Sequence, residues 1–364
     1  MFPDADYAGR LDRARAFMAE RGADVMLLSV GADLPYFIGY EAMPLERLTM
    51  LVVPAEGDAA LVVPRLEAPR VAPRGDAFTV LPWDETDDPV ALVGRHSAAA
   101  VALIGEQTWA RFLLELQREM PRTRFESAAP ITRELRMRKD PDEIALLRAA
   151  GEATDRVVAT LDGIAFAGRT ERDLAAEVQR LTIAEGHDVA SFAIVASGPN
   201  AASPHHEPTH RVIEEGDTVV IDFGGRWRGY CSDTTRTFVV GEPSAEVGAA
   251  HAVLATAQAA ARAAVHPGVT CEDVDRAARD VIEDAGYGEY FIHRTGHGIG
   301  LEVHEHPYIV SGNTESLEQG MTFSIEPGIY LPGRFGMRIE DIVACAEDGV
   351  DELNRSPRAL HSVV

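Results

Sequence analysis

Four carboxylates stand where a strand interior should be apolar. Asp222 ends Val219-Val220-Ile221, a run that reads as a buried strand. Asp233 comes eleven residues later, after Gly224-Gly225-Arg226-Trp227-Arg228-Gly229-Tyr230, an interval that suits a hairpin bringing both acids to one place. Glu326 follows Met321-Thr322-Phe323-Ser324-Ile325 and is closed off by Pro327-Gly328. Glu340 lies between Met337-Arg338-Ile339 and Asp341-Ile342-Val343. An ionised carboxylate in such a setting is costly unless it is paired or bound to a cation. Three such segments in one domain need a shared solution.

A dinuclear metal site is one solution. Four carboxylates carry four negative charges, two divalent cations balance them, and a neutral imidazole with a bridging water would complete the shells. His297 is the natural imidazole, since Thr295-Gly296-His297-Gly298-Ile299-Gly300 sets it among glycines that let backbone approach closely. Those glycines make a poor phosphate loop: no strand precedes them and the Lys-Ser/Thr of a P-loop is missing. The competing solution is structural, a buried arginine–carboxylate network built on Arg226, Arg236 and Arg338. Ten of the twelve histidines lie between His187 and His306. His187, His251, His266 and His361 read as ordinary core or surface residues, as do His96, His210 and His293.

The elements that must position these groups fall into two blocks. A length of 364 residues, at roughly 100–200 residues per domain, gives two domains, and we place them at 1–132 and 133–364. In the first, helical spacing over 8–21 precedes a buried strand at 24–30. Apolar runs 48–53 and 59–63 flank Glu56-Gly57-Asp58, a hairpin signal. Short strands at 78–81 and 101–104 alternate with helical patterns at 88–95 and 108–119, so this is a small α/β domain with few reactive side chains. The charged stretch Arg133–Pro141 marks the boundary. Asp140, Pro141 and Glu143 then form a helix start, and Thr170 with Asp173 opens another. Beyond 188 the texture is α+β, with strands at 191–196, 217–223 and 235–240, helices near 244–265 and 271–285, and strand-and-turn segments at 300–310, 321–331 and 337–346.

Composition narrows the partners. With 46% hydrophobic and 25% charged residues the chain is ordinary globular protein, neither disordered nor collagen-like. A net charge of −24 from 34 basic and 58 acidic residues repels phosphate, which excludes nucleic acid and anionic membrane surfaces as partners. Lys139 is the sole lysine. Cys231, Cys271 and Cys345 are widely spaced, odd in number and form no CxxC pair, which suits a reducing compartment. Met1-Phe2-Pro3-Asp4-Ala5-Asp6 lacks the basic-then-apolar order of a signal peptide, and no apolar run approaches ~18 residues. A soluble cytoplasmic protein is expected.

Six segments, in order, resemble the metallopeptidase family of Xaa-Pro dipeptidases (prolidases), aminopeptidase P and creatinase. They are Pro204-His205, Ile221-Asp222-Phe223-Gly224, Gly229-Tyr230-Cys231-Ser232-Asp233-Thr234-Thr235-Arg236-Thr237, Thr295-Gly296-His297-Gly298-Ile299-Gly300-Leu301-Glu302-Val303-His304, Ile325-Glu326-Pro327-Gly328 and Arg338-Ile339-Glu340-Asp341. The resemblance implies an α+β C-terminal pita-bread domain preceded by a smaller α/β creatinase-type N-terminal domain. It makes Asp222, Asp233, His297, Glu326 and Glu340 the metal ligands, with Asp233 and Glu340 bridging, Asp222 on one ion, and His297 and Glu326 on the other. His205 and His304 would bind substrate or stabilise the transition state. Arg338 would fix Glu340 from behind, and Tyr330 would line the site. His206 and His306 would face away, as neighbours in an extended chain do.

The activity implied is metal-assisted hydrolysis of the Xaa-Pro bond in dipeptides or short peptides. Two divalent ions, manganese first and cobalt or zinc as substitutes, would activate a water and polarise the scissile carbonyl. Glu326 would shuttle the proton to the leaving nitrogen, and His205 or His304 would hydrogen-bond the oxyanion. A homodimer is implied as well. One departure bears on the substrate. Some prolidases carry an arginine four residues after the second histidine, placed to clamp the dipeptide carboxylate, and here Tyr308 stands there. A phenol is the weaker partner, so longer Xaa-Pro peptides become candidates unless another arginine, such as Arg334, substitutes. A metal-dependent hydrolase or lyase of a non-peptide small molecule is the alternative, and a binding protein that kept the fold is the third reading.

Overall fold

A computed structural model describes residues 5–72, 74 and 77–364. Residues 1–4, on which much of the signal-peptide reading rests, lie outside the described residues. The chain divides into two compact units, Met1–Arg136 and Met137–Val364.

The first unit opens with α1 (Tyr7–Arg21), β1 (Val25–Leu28), α2 (Asp33–Ile38), β2 (Met50–Pro54), β3 (Ala59–Pro64) and β4 (Phe78–Trp83). It continues through α3 (Pro89–His96), β5 (Val101–Ile104), α4 (Ala110–Glu119), β6 (Arg124–Ser127) and α5 (Ala129–Met137). Its six strands form one mixed sheet in the order β4-β3-β2-β1-β5-β6. The expected hairpin is present: β2 and β3 pair antiparallel, Met50 opposite Val62. The stretch from Arg133 is helical to Met137, so the division falls inside α5 and not in a linker. Apolar side chains on its helical face keep that charged segment folded: Ile131 and Leu135 are buried.

The second unit begins with α6 (Pro141–Leu161) and α7 (Glu171–Ala184). Asp140 accepts from Glu143 N at 2.9 Å while the Glu143 carboxylate accepts from Asp140 N at 3.0 Å, a reciprocal cap at the start of α6. The strands β7 (Val189–Ser197), β8 (Thr218–Trp227), β9 (Tyr230–Cys231) and β10 (Thr234–Val240) follow. Then come α8 (Ala245–Ala264), α9 (Cys271–Asp284), β11 (Gly296–Gly298), β12 (Glu305–Ile309), β13 (Thr322–Ile325), β14 (Gly328–Leu331), β15 (Phe335–Arg338), β16 (Asp341–Ala346), β17 (Gly349–Glu352) and β18 (His361–Val363). One sheet runs β18-β10-β8-β7 with β9 on β8, a second runs β12-β11-β13-β16-β17, and β14 with β15 forms a hairpin. Among the described residues no helix is long and apolar enough to cross a membrane.

Strand alternation decides which side chains meet the helices. Val219, Ile221 and Phe223 of β8 pack with Val157 and Leu161 of α6 and Leu174 and Val178 of α7. Phe323 and Ile325 of β13 pack with Leu254 of α8 and Val274 and Ile282 of α9. Side chains in a strand alternate faces, so Asp222 and Glu326 are turned to the side opposite each helical layer.

Candidate metal centre

The strand register builds the acid cluster. Thr235 of β10 pairs with Asp222 of β8, and Glu340 forms an isolated bridge to Thr235. Asp233, two residues before Thr235, shares its face. Close packing closes the β8–β10 connection: a Cβ on Gly224 would lie 2.1 Å from Ser232 O. Glu340 is held in place when Thr235 Oγ1 donates to its Oε2 at 2.6 Å.

His297 faces this cluster. Its backbone N–H donates to Ser324 Oγ at 3.0 Å. The ring Nδ1 lies 3.2 Å from Gly298 O, a contact only a protonated Nδ1 can satisfy. In the neutral ring Nε2 then carries a lone pair. It points at Glu326 Oε1 at 3.3 Å, Asp233 Oδ2 at 3.6 Å and Glu340 Oε1 at 4.0 Å. Acceptors thus face acceptors. Oδ1 of Asp222 and Oδ1 of Asp233 are buried without a hydrogen-bond partner. Orphaned acceptors around one imidazole lone pair are the donor set that a divalent cation satisfies. Three groups have ligand atoms within 4.8 Å of one another: Asp222, Asp233 and Glu340; His297, Glu326 and Glu340; and Asp233, His297 and His304. Asp233, His297 and Glu340 each belong to two of them.

Without a cation the charges are in conflict. Burial, then Glu340, Asp222 and Glu326, push the Asp233 carboxyl well up. Burial, then Glu326 and Asp222, do the same to Glu340. Burial pushes Glu326 up to about 7, with Arg338 opposing. Burial, then the neighbouring His304, pushes His297 down to about 3. A dication would reverse the carboxylate shifts, because it favours the ionised form.

The acids and His297 line a cavity of about 620 Å³. Phe192, Ile194, Pro204 and Val303 form apolar wall, and His205, His293, Arg294, His304 and Arg338 add polar groups. Residues 145–347 match the family model for metallopeptidase family M24. The chain belongs to metallopeptidase family M24. In this M24 chain residues 10–138 also match the creatinase/prolidase N-terminal domain. A probable dipeptidase PepE of Mycobacterium tuberculosis is 47% identical over 360 residues, covering 97% of this chain and 96% of that one. An Xaa-Pro dipeptidase of Lactobacillus helveticus is 36% identical, covering 96% and 98%. The crystal structure of a prolidase from Thermococcus sibiricus superposes with a TM-score of 0.94 at 38% identity, covering 99% and 100%. The fold class expected from the sequence, a pita-bread domain behind a creatinase-type α/β domain, is the one found.

Several positions differ from the sequence reading. Arg338 does not reach Glu340; its Nη2 donates to Asp222 Oδ2 at 2.6 Å and its Nη1 to Tyr330 Oη at 2.8 Å. Glu340 lies past the end of β15, beside Thr235, so strand alternation does not relate the two. Tyr330 stands behind the wall, bonded to Arg338 and 2.9 Å from His293 Nε2. His293, read as an ordinary residue, lines the cavity, and burial followed by Arg338 pushes it down to about 3. Its only sequence signal was its place four residues before His297. Tyr308 is off the wall: the Arg294 guanidinium lies over its ring, 4.5 Å from the centroid. Arg334 is on the surface, paired with Glu246. His206 turns away to Glu171 at 2.9 Å, and His306 packs against Tyr308 with ring centroids 4.7 Å apart and planes tilted by 57°. The arginine–carboxylate network exists beside the acid cluster: Arg236 donates to Asp341 Oδ1 at 2.6 Å.

Proposed function

We propose that this chain hydrolyses the Xaa-Pro bond of dipeptides with two divalent cations held by Asp222, Asp233, His297, Glu326 and Glu340. The observation that carries the reading is the His297 lone pair directed at three carboxylates in a cavity with largely apolar walls. Similarity over nearly the whole chain to a probable dipeptidase and to an Xaa-Pro dipeptidase supports the substrate class. Of the three residues shared between ligand groups, Asp233 and Glu340 have two carboxylate oxygens to offer and His297 a single lone pair, which supports a bridging role for the two acids.

When bound, the cations would polarise the scissile carbonyl and acidify an attacking water. The protein supplies the rest. The imide nitrogen before proline has no N–H and must gain a proton as it leaves. Glu326, which lines the cavity beside His297, takes the proton of the water and delivers it there. His304, kept neutral by burial and then by Arg294, donates an N–H to the developing oxyanion, and His205 lines the same cavity. Phe192, Ile194 and Val303 offer apolar surface to the proline ring. Arg294 is the cation for the substrate carboxylate in place of the arginine that Tyr308 replaces, and Tyr308 serves as its platform. Arg338 holds Asp222, and Tyr330 steadies Arg338.

Manganese is our choice of ion, since oxygen-rich ligation suits it; cobalt or zinc would fit the same donors. We also expect a homodimer in the cytoplasm, on the family resemblance and on three buried, unpaired cysteines that suit a reducing compartment. Chelator-stripped protein should cleave Ala-Pro only after manganese is restored, and Ala-Pro-Ala more slowly. Preference for the tripeptide would shift the reading to aminopeptidase action. Cleavage of neither substrate with two ions bound would overturn it in favour of a non-peptide substrate.

A further inference from the structure

His205 sits on a stretch of chain with little sheet pairing of its own. After β7 ends at Ser197, a short 3-10 helix covers Gly198–Ala202, and β8 begins only at Thr218. An exposed imidazole on such a stretch would be free to wander unless something holds it. Among the described residues no hydrogen bond fixes the His205 ring itself. The residues on either side of it are fixed instead.

Glu171, the first residue of α7, is fully buried. Six donors converge on its carboxylate. Oε1 accepts from Ser197 N at 2.9 Å, Ser197 Oγ at 2.8 Å and Asn200 Nδ2 at 3.0 Å. Oε2 accepts from His206 Nε2 at 2.9 Å, Thr209 N at 3.0 Å and Thr209 Oγ1 at 2.7 Å. One side chain thus ties the beginning, middle and end of the 197–209 segment to a helix packed in the core. Burial opposes ionisation there, yet the donors from Thr209, Asn200, His206 and Ser197 outweigh it and hold the carboxyl at about 2. On the other side of His205, Pro204 O accepts from Arg338 Nη1 at 3.4 Å, and Arg338 is bound to Asp222.

We infer that Glu171 is a positioning residue: through His206, Thr209, Ser197 and Asn200 it holds the segment that aims His205 into the cavity. Satisfying six donors with one buried anion is a stringent arrangement, because a neutral amide in its place would set an N–H against donors. Glu171 hydrogen-bonds Ser197, Asn200, His206 and Thr209, none of them a proposed cation ligand, so its removal should leave metal binding intact. The inference rests on the proposed Xaa-Pro hydrolysis only for its kinetic readout.

The test is a double-mutant cycle of Glu171→Gln with His205→Ala in the metal-loaded full-length protein. Glu171→Gln alone should lower kcat/KM for Ala-Pro about 10- to 100-fold, the scale on which small misplacements act. In the His205→Ala background the same change should cost less than about two-fold. An equal loss in both backgrounds, or none in either, overturns the inference. If Glu171→Gln does not fold, Thr209→Val, which removes a single donor, runs the same cycle with a smaller expected loss. Hydrogen exchange supplies a readout independent of substrate. Amides over 197–209 should exchange faster in the variant, with manganese affinity unchanged, even if wild-type protein cleaves no peptide. Unchanged exchange there overturns the inference, whereas an inactive wild type overturns only the Xaa-Pro reading.

Discussion

Arg338 donates to Asp222 across 2.6 Å, while Glu340, two residues along its own chain, takes its hydrogen bond from Thr235. The guanidinium serves an acid on the other sheet. It occupies Oδ2 of Asp222 and leaves the buried Oδ1 without a donor, which is how a carboxylate is kept oriented and still able to ligate.

Arg338→Ala removes that orientation and strands Asp222 and Tyr330 in a buried site. Loss of one partner from a buried pair costs about 3–5 kcal/mol of stability, and loss of a group supporting a ligand costs about 10- to 100-fold in metal affinity or activity. Calorimetric titration with manganese should show one of two equivalents weakened on that scale. Arg338→Lys keeps the charge without the fork and should fall between. Two unchanged equivalents in the alanine variant would contradict the assignment.

Much of the centre was legible because its ligands break the rule of their own strands. Asp222 and Glu326 interrupt apolar runs, so the residues announced both the strands and the anomaly within them. Pairing across elements was not legible. That Arg338 meets Asp222, and that the Arg294 guanidinium lies on Tyr308, depends on the register between distant segments, which periodicity along one segment cannot carry. His293 was missed for a related reason: only the fold brings it beside Tyr330. The division between the units falls inside the charged stretch Arg133–Pro141, but charge density gave no sign that this stretch begins as helix, which one buried stripe, Ile131 and Leu135, is enough to sustain.

Metal binding and protonation should compete at the acid cluster. Without metal Glu326 has a folded-state value of about 7 against an ordinary 4.5, and Asp233 and Glu340 are also raised. A dication favours the ionised carboxylates, so its binding must release their protons. Stabilisation by manganese should therefore grow as pH rises from about 4.5 to 7. His297 and His293, pushed down to about 3, are neutral with and without the ion in this window and cancel from the difference. Thermal melts with and without manganese check this, and a metal-induced shift that does not grow with pH would refute the charge conflict.

The glycines flanking His297 should tolerate no methyl group. A Cβ on Gly296 would meet Ser324 O at 1.9 Å, and one on Gly298 would meet His306 O at 2.2 Å. Both contacts are with backbone carbonyl oxygens, which no side-chain rotation can relieve, so strand β11 would have to move and take the imidazole with it. Gly298→Ala should lower stability by about 1–3 kcal/mol and weaken manganese binding in parallel. Gly248, in helix α8 with nothing within 4 Å of its Cβ position, is the control. Gly248→Ala should leave metal binding alone and raise the melting temperature slightly.

Arg294 offers the sharpest test of substrate length. It lines the cavity, its guanidinium rests on Tyr308 at 4.5 Å, and it forms no ion pair among the described residues. Its charge is nevertheless felt by Glu326, His297 and His304, each of which it shifts downward. Arg294 is thus a cation at the cavity without an acid of its own, and a dipeptide brings a free carboxylate to pair with it. Arg294→Leu should raise KM for Ala-Pro about 10-fold or more, the scale of a lost charge-assisted hydrogen bond at about 1.5–3 kcal/mol. It should leave kcat within about two-fold, since that bond is made equally in ground and transition states. Ala-Pro-amide, which lacks the carboxylate, should be cleaved equally by both proteins. A fall in kcat shared by both substrates would mean that Arg294 acts through Glu326 or His297 and not on the substrate, and longer Xaa-Pro peptides would then be as good a fit as dipeptides.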